Sequence, residues 1–323
     1  MDSGRWLLFI HNIPPKPSYF RVKIWRRLQK LGAVAVKNSV YILPKSKASN
    51  ESFHWIMREV FQAGGEASIC EATFVDGLTD QQAESLFNGA RNGDYAALAD
   101  EARKVSKQIP SKGKVSDDRR KEVEAGLIRL KRRLADIVEV DFFGASGRES
   151  AEGVINEIDS RLKSGSPETA LIGKASVNIK DLKGRTWVTR QGIHVDRIAS
   201  AWLIRRFIDP KAKFKYVDGK GYQPKAGELR FDMFEAEFTH EGNLCTFEVL
   251  IARTHIDDPA LRQIAEIIHE IDIGDEQYIR TDVDGIAQLI NGICFGHKED
   301  TDRLARGSAL FDDLYEYFKR KRK

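Results

Sequence analysis

TRQGIHVDRIASAWLIRRF runs from Thr189 to Phe207 and carries two messages at once. Ile193, Ile198, Trp202, Leu203, Ile204 and Phe207 recur at helical spacing and mark a buried face. Arg190, His194, Asp196 and Arg197 crowd the point where that face begins. Thr186–Thr189 reads as a strand, so Arg190 falls just after it, and His194, Asp196 and Arg197 fall in the turn or the first helical turn. Asp209-Pro210 ends the helix. A helix N-terminus presents free N–H groups and the positive end of a dipole, which together attract anions. Guanidinium groups add forked donors suited to tetrahedral oxyanions. Arg190 and Arg197 are therefore candidate oxyanion ligands. The competing reading ties both to Asp196, Asp232, Glu235 or Glu237 as structural ion pairs. Arg205 and Arg206 lie near the helix C-terminus, where cations suit the dipole, and are read as structural.

Strands are expected downstream at Phe214–Val217 and Glu228–Phe231. Ala236–His240 and Cys245–Leu250 read as a hairpin around Glu241-Gly242-Asn243. Helices follow at Pro259–Ile271, Asp284–Phe295 and Thr301–Lys319, before a basic tail, Lys319–Lys323. Upstream, the spacing predicts a strand at Arg5–Ile10, a proline turn at Ile13–Ser18 and a helix at Tyr19–Leu31 stopped by Gly32. Two strands share Ala33–Leu43, a helix is capped by Asn50, and Ala67–Phe74 is another strand. That order, strand–helix–strand–strand–helix–strand, is the ferredoxin-like βαββαβ order.

Helices at Thr79–Val105, Asp117–Val138 and Glu152–Lys163 join the two parts, with a hinge at Ile109–Lys114 and a boundary within Gly165–Lys174. The expected fold class is α+β. Residues 1–108 form a ferredoxin-like N-terminal domain, 109–174 a long helical connector, and 175–323 a C-terminal mixed α/β domain. The stripe Val123, Leu127, Leu130, Leu134 would either pair two copies in a homodimer or pack within the chain.

The balance of 41% hydrophobic and 31% charged residues is that of a globular protein. No apolar run approaches the about 18 residues of a membrane span, and the opening MDSGRWLLFIHNIPP is not expected to be a signal peptide. Three widely spaced cysteines argue for a reducing, cytoplasmic setting. Residues 1–180 hold 29 Lys+Arg against 23 Asp+Glu, while 181–323 hold 23 against 25, so the basic surplus lies in the first part. Arg21, Lys23, Arg26, Arg27 and Lys30, among Tyr19 and Trp25, are candidates for DNA phosphate contacts. So are Arg129, Lys131, Arg132 and Arg133 on the long helix, which also carries Arg119, Arg120 and Lys121. The plainer reading of both clusters is a solvated helix face. Nucleotide loops and nucleophile elbows are absent.

Five of the seven histidines lie in the second part, where imidazole and carboxylate could hold a divalent metal, zinc or iron. His194, His240, Glu241 and His269 are the candidate ligands, and Asp272 shares a helix face with His269. His240, if protonated, is a third oxyanion candidate beside Arg190 and Arg197.

TRQGIHVDRIASAWLIRRFIDP, FDMFEAEFTHEGNLCTFEVL and IAEIIHEIDI, taken together, resemble the ChrB family of chromate-resistance proteins. WLLFIHNIPP and the elements after it look like that family's N-terminal domain, which is similar to part of the PaaX-type repressors. The resemblance implies a cytoplasmic, chromate-sensing regulator of an efflux operon. Promoter DNA would meet the basic N-terminal part, and chromate would meet Arg190, Arg197 and His240. The alternative is a metal-dependent enzyme of chromate detoxification, which binds the oxyanion or reduces it, and enzymatic activity stays open at this point.

Overall fold

The computed structural model describes residues 4–14, 16, 18–109, 116–164, 176–218 and 222–320. The architecture is mixed α/β, with ten α-helices and two small sheets among the described residues. The chain packs into two compact units. One holds Met1–Tyr95 and Arg132–Ser146, the other Ala96–Lys131 and Gly147–Lys323. This division differs from the expected one at 108 and 174, because the connecting helices are shared between the units. The expected hinge beyond Ile109 and the boundary within Gly165–Lys174 lie outside the described residues.

The first unit opens with β1 (Trp6–Asn12), α1 (Ser18–Lys30), β2 (Val34–Lys37), β3 (Val40–Pro44), α2 (Lys47–Gln62) and β4 (Glu66–Ala72). The sheet runs β2-β3-β1-β4, every neighbouring pair antiparallel. Trp6, Leu7 and Phe9 are buried in the inner strand β1. Ile24 and Leu28 of α1 and Phe53, Ile56 and Val60 of α2 complete this core at helical spacing. Gly32 ends α1 at φ 71°, and a Cβ there would lie 2.7 Å from the Val140 side chain. Only glycine fits such a left-handed, crowded stop. Asn50 is not the cap of α2. Ser46 is, its hydroxyl accepting from the Ser49 N–H at 3.0 Å, so the helix starts one turn earlier.

Two long helices follow, α3 (Asp80–Ser106) and α4 (Asp117–Glu139). Val123, Leu127 and Leu130 of α4 are buried within the chain, and Leu134 is half-buried.

The second unit adds α5 (Arg148–Ser164), β5 (Thr186–Arg190), α6 (Val195–Leu203), β6 (Lys213–Val217), β7 (Glu228–Arg230), α7 (Thr246–Thr254), α8 (Pro259–Asp272), α9 (Val283–Gly296) and α10 (Asp300–Arg320). Its sheet runs β6-β5-β7 with parallel pairing, so β5 is central and delivers the chain into α6. All nine residues of α6 are buried. A π turn, Ile204–Ile208, extends α6 and places Arg206 over the Tyr315 ring at 4.5 Å and Arg205 over Phe214 at 4.9 Å.

The hairpin expected at Ala236–Leu250 is replaced by a turn and a helix. Glu241 and Leu244 close the turn with reciprocal backbone bonds, and Cys245 is the N-cap of α7. The Cys245 N–H donates to Glu248 Oε2 at 3.0 Å, which anchors the first helical turn. CTFEVL is apolar without a clear period, and such a run fits a buried helix as readily as a strand.

Helix α10 crosses α6 at Gly307, where a Cβ would sit 2.3 Å from Ile198 Cγ2. Gly307→Val is therefore expected to lower stability by about 1–3 kcal/mol through overpacking. Thermal unfolding checks this, and an unchanged midpoint would refute the close crossing. No helix among the described residues is long and apolar enough to cross a membrane.

Candidate functional site

The loop from β5 into α6 has the anion-receptor geometry that its sequence suggests, but the chain supplies the anion. Gly192 and Ile193 N–H donate to the two oxygens of Asp300, each at 2.9 Å. At the start of α7 the same device recurs. Thr246 and Phe247 N–H donate to the carboxylate of Asp196 at 2.8 and 2.9 Å. Each carboxylate satisfies donors left open by the helical backbone.

The arginines are paired as well. Arg197 Nε lies 3.1 Å from Asp232 Oδ2 and donates to the Asp232 carbonyl at 3.2 Å. Arg190 donates to Glu149 of α5 at 3.0 Å. Asp232, expected as an ion-pair partner, is one, whereas Glu149 was not anticipated. Burial raises the Glu149 pKa, while Arg190 first and then Arg197 pull it down. Arg190 is the guanidinium in contact with this buried carboxylate.

His240 lies at the centre of an acidic group. Its Nε2 is 2.7 Å from Asp272 Oδ2 and 4.0 Å from Asp196 Oδ2, and its Nδ1 is 3.5 Å from Asp232 Oδ1. Burial alone would favour the neutral ring. The hydrogen bond and charge of Asp272, then Asp232 and Asp196, outweigh it and carry the pKa up to about 10. Burial, Asp232 and Asp272 push the Asp196 carboxyl well above its usual range.

The four expected metal ligands are dispersed. His240 joins Asp196 and Asp272, while His269 joins Glu270 and Asp275. His269 Nδ1 is 2.8 Å from Glu248 and its Nε2 is 3.0 Å from Asp275. Burial lowers the pKa of this ring, but Glu248 and then Asp275 give it a net rise. Glu241 faces Arg253 at 3.7 Å, and His194 Nε2 lies 2.8 Å from Asn291 Oδ1. His269 and Asp272 share a helix but serve different groups. Asp232 and Asp272 were missed as His240 partners because neither neighbours it in sequence. The signal available was an acid, Asp196, inside a strongly apolar helix.

The basic candidates of α1, Arg21, Lys23, Arg26, Arg27 and Lys30, are all exposed. Lys23 pairs with Glu59 at 3.2 Å, Arg27 pairs with the same carboxylate, and Arg21 donates to the Ile13 carbonyl. Tyr19 and Trp25 stand exposed among them at 68% and 51%. Arg129, Lys131, Arg132 and Arg133 are exposed on α4, and Lys131 pairs with Asp159 at 2.8 Å.

Comparison with known proteins matches residues 187–318 to the ChrB C-terminal domain and residues 21–168 to the ChrB N-terminal domain. The chain belongs to the ChrB family. The C-terminal ChrB match spans Arg190, Asp196, Arg197, Asp232, His240, His269 and Asp272, and the N-terminal match holds Glu149 and the basic residues of α1 and α4. Protein ChrB of Cupriavidus metallidurans is 29% identical over 327 residues, covering 98% of this chain and 96% of that protein. No solved structure matches the chain.

Proposed function

We propose that this ChrB-family chromate-resistance protein is a cytoplasmic regulator that binds promoter DNA and is released by chromate. The observation that carries the reading is a pair of arginines each held by a buried acid of the chain, Arg190 by Glu149 and Arg197 by Asp232. Arg190 and Arg197 are forked cations of the kind that suits a tetrahedral dianion, and in the free protein Glu149 and Asp232 occupy them. Chromate would take the arginines over from Glu149 and Asp232. Such an exchange of partners distinguishes two states, as a ligand that shifts a population must do. Glu149, whose pKa burial already raises, accepts a proton readily once displaced.

DNA binding is supported by α1, a helix with five cations and no acidic residue. The N-terminal unit is read as ferredoxin-like, supported by its order β2-β3-β1-β4. Purified protein titrated against promoter DNA, with and without chromate and with sulfate as control, tests the proposal. Chromate is expected to weaken binding and sulfate to leave it unchanged. Absence of DNA binding at modest salt, or binding indifferent to chromate, refutes it.

A second reading, a metal-dependent enzyme of chromate detoxification, is favoured by the two buried imidazole–carboxylate groups around His240 and His269. Reductive loss of chromate in the presence of metal-loaded protein and an electron donor would select it.

A further inference from the structure

We infer that His240, Asp196 and Asp272 form a zinc-class divalent metal site in the C-terminal unit, with Asp232 orienting the histidine. The inference stands apart from the regulatory reading, since it needs neither DNA nor chromate. Its basis is the convergence of three separate segments. Asp196 comes from the first turn of α6, His240 from the loop before the Glu241–Leu244 turn, and Asp272 from the end of α8.

One ligand atom from each lies within 4.8 Å of the other two, and the closest pair is 2.7 Å apart. Tetrahedral bonds of about 2.0–2.2 Å place donor atoms about 3.3 Å apart, inside this span. Small side-chain adjustments therefore bring all three onto one ion.

The surroundings are those that metal-ligating groups need. A histidine that binds through Nε2 is oriented by a polar group at Nδ1, and here the Thr246 hydroxyl and Asp232 Oδ1 each stand 3.5 Å from Nδ1. Asp232 is itself fixed by Arg197 and by the Thr246 hydroxyl at 2.9 Å. Asp196 is fixed by the Thr246 and Phe247 N–H groups. Only Asp272 has appreciable exposure, its side chain being 16% accessible against 2% for His240 and 1% for Asp196. Asp272 is thus the member of the group nearest to solvent.

Charge points the same way. Three carboxyl groups, Asp196, Asp232 and Asp272, stand around His240 against one guanidinium, Arg197, so the donor set is acidic. One imidazole nitrogen with carboxylate oxygens is a donor set that zinc accepts.

The test is direct. Protein stripped with a chelator is titrated with zinc chloride against a chromophoric competitor, and bound metal is counted by elemental analysis. One equivalent per chain is expected. Asp272→Asn, at the rim and so least burdened by packing, should weaken zinc binding by at least about 100-fold, and Asp272→Glu should restore part of it. Zinc should also raise the thermal midpoint of the wild type but not of Asp272→Asn. A wild-type protein that binds no zinc overturns the assignment. So does an equivalent that survives in Asp272→Asn and disappears in Asp275→Asn, which would place the ion beside His269.

Discussion

Arg197→Met is expected to remove about 3–5 kcal/mol of stability from the C-terminal unit. Arg197 and Asp232 are both almost wholly buried, with side-chain exposures of 6% and 7%. Deleting the guanidinium leaves a carboxylate that has lost its nearest cation and cannot reach water. It also leaves the Asp232 carbonyl without the Arg197 donor. Urea unfolding followed by circular dichroism measures the loss, and a change under about 1 kcal/mol would mean that the pair is not a buried one. Arg197→Met combined with Asp232→Leu should recover part of the loss, because no orphaned charge remains. Arg190→Met should cost less, since its partner Glu149 is already inclined to take up a proton and become neutral. Functional variants of this site are therefore best made at Arg190. Loss of chromate response at Arg197 would be confounded by loss of the fold.

The second large effect concerns DNA. Arg21, Arg26 and Lys30 are exposed on α1, and none is paired with a carboxylate among the described residues, whereas Lys23 and Arg27 share Glu59. Replacing all three with alanine is expected to lower the slope of log affinity against log salt by about 2.7, that is about 0.9 for each phosphate no longer neutralised. Binding should weaken about equally for specific and random sequences, because cations on phosphates position a protein without reading bases. Thermal stability should hold, since the side chains lie in solvent. An unchanged salt slope would remove α1 from the proposed interface and leave Arg129, Lys131, Arg132 and Arg133 of α4 as the remaining candidates.

Much of the fold is legible in local pattern. The apolar run Trp6–Ile10, the glycine stop at Gly32 and the helical spacing of Pro259–Ile271 each reflect forces that act within a few residues. Two misreadings show where that reach ends. Ser46 and Asn50 are both good cap residues, and only the observed hydrogen bond chooses between them. Cys245–Leu250 lacks a decisive period, and the choice of helix rests on Glu248 closing back on the Cys245 N–H and on Asp196, fifty residues away, accepting from Thr246. The site follows the same rule. Arg197 and His240 stand out by residue type, but Glu149, Asp232 and Asp272 look like ordinary acids until the fold brings them inside. An acid's depth, which decides its chemistry, is a tertiary property.

The burial of all of α6 bears on how this protein is made. A helix without a solvent face cannot rest as a finished surface on a growing chain. Trp202 waits for Phe311 and for Asp312, which lies 110 positions further along, and Ile198 waits for Gly307. Until α10 leaves the ribosome, the segment that holds Asp196 and Arg197 lacks its apolar cover, while the N-terminal sheet, whose strands all lie within the first 72 residues, is free to close.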